Sequence, residues 1–206
     1  VKLLVATRSP GKLREARALL EPHGVEVVSP LDLGLAETPE EALLELGETF
    51  EANARSKAEY FVARSGLPTV ADDSGLEVFA LGGEPGVRSR RWTGASGTDA
   101  EVDAANNAEL LRRLAGAPES KRRARYRCVL AYAPRRGAPI RVFEGHCTGR
   151  ILDTPRGTGG FGYDPLFFSD DLGMSFAEAP APEKNRVSHR GRAYRLLLEA
   201  LREEQT

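Results

Sequence analysis

Residues 2–20, KLLVATRSPGKLREARALL, combine an apolar run at 2–6 that includes β-branched Val5, a turn carrying Pro10 and Gly11, and a helical repeat over 12–20. That order predicts strand, tight turn and helix. A second short strand is expected at 25–28, where β-branched residues alternate after a Pro/Gly break. An acidic stretch at 36–46 has no clear period. Over 49–64, Phe50, Ala54, Ala58, Phe61 and Val62 recur at helical spacing behind Thr49 as N-cap, and Gly66 stops the helix. Residues 67–71 then read as a buried strand that ends on Asp72, Asp73 and Ser74. A Gly- and Pro-rich loop over 81–97 leads to a helix capped by Thr98 or Asp99 that runs to Leu114 and stops at Gly116. Two long strands are expected at 123–133 and 140–152, joined by PRRGAP as a hairpin turn, and a last helix at 188–203. Strands that alternate with helices, followed by a late hairpin, predict an α/β fold with a mixed sheet.

The 206 residues suffice for one compact domain spanning 1–206, and 29 basic against 30 acidic side chains leave no net basic field. That balance argues against a protein that coats nucleic acid or a membrane surface, so local clusters must carry any phosphate chemistry. No apolar run is long enough to span a bilayer, and VKLLVATRSPGK lacks the regions of a secretory signal. The expected location is cytoplasmic. Cys128 and Cys147 show no metal-ligand spacing and read as buried packing residues.

Five segments carry chemistry. In ATRSPGK, a strand meets a helix start at a Gly turn, where free N–H groups and the helix dipole favour an anion; most such junctions are merely turns. Adjacent Asp72 and Asp73 repel unless a cation, a proton or hydrogen bonds relieve them. Mg²⁺ is one partner, since it needs only one or two protein carboxylates; turn-forming aspartates are the other reading. Only one of two successive strand residues would face a ligand. GTGGFGYDP suits either a loop that approaches a flat base or a bulged strand end whose aromatics join the core. EKNRVSHRGR places Lys184, Arg186, His189, Arg190 and Arg192 around a helix start, which opposes the dipole unless an anion intervenes. ELGETFEANARSKAEY sets Glu45 before a helix and Lys57 inside it, which an ordinary solvated face explains equally well.

The ordered motifs ATRSPGKLRE, ETFEANARSKA, ADDSGLEVFALGGEPGVRSRR, GGFGYDPLF and KNRVSHRGRA cover nearly the whole chain. With them the chain resembles the inosine triphosphate pyrophosphatase family, also called dITP/XTP pyrophosphatases. The resemblance implies an elongated mixed sheet flanked by helices, in two lobes with the active-site cleft between them, and a homodimer. It implies hydrolysis of ITP, dITP and XTP to monophosphate and pyrophosphate with Mg²⁺. Carried onto this chain, Thr7, Arg8, Ser9, Pro10, Gly11 and Lys12 would bind the triphosphate, with Lys57, Ser74 and Lys184 also touching substrate. Asp73 would be the catalytic base and a metal ligand, with Glu45 as the second ligand. Phe161, Gly162, Tyr163 and Asp164 would flank base and sugar, and His189 with Arg190 would contact the purine.

Three positions depart from the family pattern: Ser9 where Asn is usual, Ala52 where Glu is usual, and Arg90 where a small residue is usual. Ser9 keeps a donor and an acceptor with shorter reach. Ala52 loses a carboxylate that could support the metal or Lys57. Arg90 is assigned no catalytic role. No covalent nucleophile is required, because phosphoryl transfer rests on positioning and charge neutralisation. Competing readings are a pyrophosphatase for modified pyrimidine nucleotides, a catalytically silent nucleotide sensor, and, least favoured by the charge balance, an RNA-binding module.

Overall fold

The computed structural model describes residues 1–204. Strands β1 (Lys2–Val5), β2 (Glu26–Val28), β3 (Thr69–Val78), β4 (Arg123–Ala133), β5 (Arg141–Ile151), β6 (Phe167–Ser169) and β7 (Met174–Ser175) form one sheet in the order β2-β1-β3-β4-β5-β6-β7. β1 pairs in parallel with β2 and β3, while β5–β6 and β6–β7 are antiparallel, so the sheet is mixed as expected. The parallel pairs need crossovers, and α1 (Pro10–Leu20) and α2 (Phe50–Ser65) supply them. The other helices are α3 (Asp99–Arg113), α4 (Ala181–Val187) and α5 (His189–Glu203).

Local chemistry accounts for the helix ends. Ser9 caps α1 by accepting from the Lys12 N–H, with Pro10 in the first turn, and Thr49 caps α2 by accepting from the Ala52 N–H. Thr98 and Glu101 form a reciprocal capping box on α3. Gly66 ends α2 at φ +69°, a left-handed geometry that glycine adopts without strain.

One reading of the sequence is corrected and two are extended. β3 does not stop at Ala71 but continues through both aspartates to Val78, because Leu76 and Val78 on the same strand are fully buried. The carboxylates therefore lie inside a strand. The last helix expected at 188–203 is α5, and the short helix α4, which the sequence reading did not include, precedes it and ends at Ser188, whose backbone is extended. The acidic stretch contains a short 3₁₀ segment, Pro39–Leu43.

The described residues divide into two compact units, one comprising 1–73, 128–145 and the chain from 190 onward, the other 74–127 and 146–189. The first has a core of Leu3, Val5, Leu20, Val70, Leu130, Tyr194 and Leu197. The second is built on Leu76, Trp92, Leu110, Tyr126, Ile151, Phe167 and Phe176. Cys128 and Cys147 are fully buried, as the packing role requires. No helix among the described residues is long and apolar enough to cross a membrane.

In the second unit, Gly149 of β5 lies so close to β6 that a Cβ there would sit 2.2 Å from the Phe168 carbonyl oxygen and 2.8 Å from the Phe167 ring. Backbone cannot yield without breaking the β5–β6 pairing. Gly149→Ala is expected to destabilise the fold by about 1–3 kcal/mol, measured by urea unfolding. An unchanged midpoint would contradict this packing.

Candidate active site

The first unit gathers phosphate- and metal-type groups around β3. Asp72 is 2% exposed and Asp73 6% exposed, and their surroundings differ sharply. The Asp72 carboxylate receives Lys12 Nζ at 2.8 Å and Arg190 Nε at 2.6 Å, and the Cys128 thiol approaches at 3.4 Å. Burial works against its charge, yet Arg190 and Lys12 outweigh burial and hold it well below the ordinary carboxylate range. Asp73 accepts from Asn53 Nδ2 at 2.9 Å and lies 3.9 Å from Lys57 Nζ. Here burial prevails over Lys57, Lys12 and Asn53, and its pKa is raised. Two neighbouring acids are thus held in opposite electrostatic states, one with its charge countered by cations and the other with its charge disfavoured by burial.

Lys57 comes from the buried face of α2 and donates to Glu45 at 2.6 Å and to the Asp72 carbonyl oxygen at 2.6 Å. Its ammonium therefore neighbours both Glu45 and Asp73. Both carboxylates share this one ammonium as a counter-charge, and no group of three or more metal-ligating side chains occurs among the described residues. Asn53 ties the two acids' supports together, since its Oδ1 accepts from Gly47 N at 2.8 Å while its Nδ2 holds Asp73. Sequence reasoning passed over Asn53, which is 1% exposed, although its place three residues after Phe50 and directly before Ala54 sets it beside the apolar stripe of α2.

The Gly turn places its residues unevenly. Thr7 Oγ1 accepts from the Ser9 N–H at 3.1 Å, and Ser9 Oγ accepts from the Lys12 N–H at 3.3 Å. Ser9 thereby performs the N-cap work that Asn would do, which gives that departure a local reason. Pro10 opens α1 and Gly11 is buried. Lys12 keeps its charge: burial opposes it, but Asp72 prevails and raises its pKa. The Arg8 guanidinium turns to Glu41, at 2.8 and 3.0 Å, and to the Leu35 carbonyl oxygen at 2.9 Å. Arg190 is 2% exposed and pairs with both Asp72 and Glu15, each at 2.6 Å. Any purine contact by Arg190 would share its guanidinium with these two carboxylates. Ala52, the other departure, occupies the third residue of α2 behind the Thr49 cap, where Glu would complete a capping box.

The second unit holds Phe161 to Asp164, Lys184 and His189. The segment around Phe161, Gly162, Tyr163 and Asp164 is a turn and not a strand. Of its aromatics, Tyr163 joins the core at 4% exposure, while Phe161 stays half-buried. Lys184 Nζ contacts Asp164 Oδ2 at 2.5 Å and lies 5.0 Å from the Phe161 ring centre, a cation over an aromatic face. Tyr126, also missed from sequence, donates to Asp164 Oδ1 at 3.2 Å and stacks on the His189 ring at 4.5 Å and 8°. Burial, then Asp164, pushes the Tyr126 pKa well up, so the phenol stays a donor. Ser74 follows Asp73 on β3 and is partly buried.

The Ham1 family profile matches residues 3–200. A dITP/XTP pyrophosphatase of Geobacter sulfurreducens is 48% identical over 200 residues, covering 97% of this chain and 96% of that protein. One from Thermus thermophilus is 46% identical over 203 residues, covering 98% and 93%. Among solved structures, a HAM1 protein from Coxiella burnetii superposes with a TM-score of 0.83 at 35% identity, covering 98% of this chain and 99% of that one. A nucleoside-triphosphatase / dITP/XTP pyrophosphatase from Mycobacterium abscessus gives 0.70 at 44% identity, covering 96% and 99%. With a profile spanning nearly the whole chain and relatives approaching half identity over the same length, this chain belongs to the Ham1 family.

Proposed function

We propose that this protein hydrolyses the deaminated purine nucleotides ITP, dITP and XTP to nucleoside monophosphate and pyrophosphate. The observation that carries the reading is the split between Asp72 and Asp73: one carboxylate is neutralised by Lys12 and Arg190, and its neighbour is buried with a raised pKa beside Lys57 and Glu45. Such a pair supplies a fixed anchor and a general base. Relatives named dITP/XTP pyrophosphatase supply the substrate class.

In this reading Asp73 and Glu45 would hold Mg²⁺, which neutralises phosphate charge when bound. Asp73 orients water toward the α-phosphorus and accepts its proton. Lys12, the backbone N–H groups of Arg8 and Gly11, and Lys57 take the triphosphate oxygens, and Ser74 adds a hydroxyl. Asp72 does no chemistry; it keeps the Lys12 ammonium aimed. Phe161 and Tyr163 shape the place for the base, while Lys184 and His189 offer donors toward a 6-keto oxygen. Adenine presents an amino group there, and a donor facing a donor costs about 1–3 kcal/mol. Arg190 reaches the nucleotide mainly through Asp72. The protein works in the cytoplasm, where its substrates arise, and as a homodimer.

Product identification tests this. With Mg²⁺, ITP should yield IMP and pyrophosphate, with water oxygen from H₂¹⁸O in the IMP, and a chelator should stop the reaction. Orthophosphate as product, or activity indifferent to chelation, would overturn the proposal. Lys12→Ala should raise the KM for ITP about tenfold, the scale of one lost charged hydrogen bond. An unchanged KM would remove Lys12 from the phosphate set.

A further inference from the structure

α3 grips the turn assigned to the base through consecutive peptide groups. Asp103 Oδ2 accepts from Gly162 N at 2.8 Å, and Asn107 Nδ2 donates to the Gly162 carbonyl oxygen at 2.9 Å. Asp103 and Asn107 are four residues apart and so share one face of the helix. Their bonds seize the peptide between Phe161 and Gly162 and the one between Gly162 and Tyr163. Between those planes Gly162 sits at φ +62°, a conformation that nothing bulkier would hold unaided. Asn107 Nδ2 also donates to the Asp103 carbonyl oxygen at 2.9 Å, while its Oδ1 is buried without a partner among the described residues. A buried unpaired acceptor is costly, so the side chain is explained by its donors. The next residue along, Tyr163, donates to the Ser89 carbonyl oxygen at 2.7 Å, and Asn106 Nδ2 donates to that same oxygen at 3.3 Å.

Arg90 extends the clamp. It pairs with Asp99 at 2.5 Å and with Asp103 Oδ1 at 3.3 Å, so each Asp103 oxygen has its own task. The family departure at Arg90 thus acquires a physical consequence at the turn.

We propose that Asp103 and Asn107 are positioning residues for nucleotide recognition, setting Phe161 and Asp164 through the Gly162 peptides, with Arg90 steadying Asp103. The proposal rests on the reading that Phe161 and Asp164 meet the base.

Two readouts test it. Without nucleotide, amide exchange at Gly162 should quicken at least about tenfold in Asp103→Ala, since a buried acceptor is lost. With ITP and Mg²⁺, that variant should show a KM raised about tenfold and a kcat within about twofold, because the turn holds substrate and not the reacting water. Asp103→Asn, which can still offer an oxygen to Gly162, should return the KM to within about threefold of the parent. If Asp103→Ala does not fold, Asn107→Ala removes the other grip and must change exchange and KM in the same directions. Unchanged exchange, or faster exchange with an unchanged KM, overturns the proposal. Wild-type protein inert toward ITP would instead sink the functional reading, and the exchange experiment would still decide whether the clamp exists.

Discussion

Asp73→Asn is expected to lower kcat at least about a thousandfold while the protein remains folded, since a positioned general base contributes up to about 10⁴-fold and this residue is also assigned to the metal. The amide can keep the bond from Asn53, because its oxygen replaces the acceptor 2.9 Å away, so local shape survives. Burial raises the Asp73 pKa, which means that the folded state favours the neutral acid. Its contribution to stability is present below the unfolded pKa and lost as pH rises through the folded one. A neutral isostere escapes that loss, so the metal-free variant should match or exceed the parent's Tm at neutral pH. Steady-state kinetics and calorimetry on one preparation check both halves. Turnover within tenfold of the parent would strip Asp73 of its role.

Arg190→Met carries the largest expected effect on stability. The guanidinium lies between Asp72 and Glu15, both buried, and its loss takes a cation from each carboxylate while Lys12 and the Cys128 thiol stay beside Asp72. Breaking a buried pair of this type costs about 3–5 kcal/mol. For a chain of this length the Tm should fall by on the order of 10 °C. The pH dependence should change as well. The Asp72 pKa is depressed in the parent, so its stabilisation is present above the unfolded value and lost as pH falls through the folded one. Without Arg190 the depression shrinks, and the acid-labile part of the stability shrinks with it. Urea unfolding from about pH 7 to about pH 3 spans the carboxylate range. A Tm within about 2 °C of the parent would show that the network is dispensable.

The parts of this protein that were legible in its sequence are those written in local code. β1, the Gly turn and α1 follow from contiguous apolar, turn and helical patterns, and Thr49 and Thr98 announce their helices. The extension of β3 was hidden because Asp and Ser disfavour strands; here buried cations make aspartate acceptable mid-strand, so tertiary pairing overrides propensity. β6 and β7 are too short to show alternation. Glu15 went unnoticed although it shares the buried face of α1 with Gly11, Ala16 and Leu20. Its partner Arg190 lies 175 positions away, a separation that no local pattern spans. The segments holding Asp73 and the Phe161 turn were flagged by residue type and resemblance, but what distinguishes Asp72 from Asp73 is a difference of neighbours that only the fold supplies.

The two thiols offer a way to watch this protein come apart. Cys128 lies in the core of the first unit and Cys147 in that of the second, both fully shielded from solvent. Burial, and then the adjacent Asp72 charge, also holds the Cys128 thiol far from its reactive thiolate form. Alkylation with iodoacetamide must therefore await an opening event at each cysteine. Mass spectrometry of the two tryptic peptides then serves as a pair of clocks: equal labelling rates mean one concerted melting, and unequal rates reveal which half breathes first.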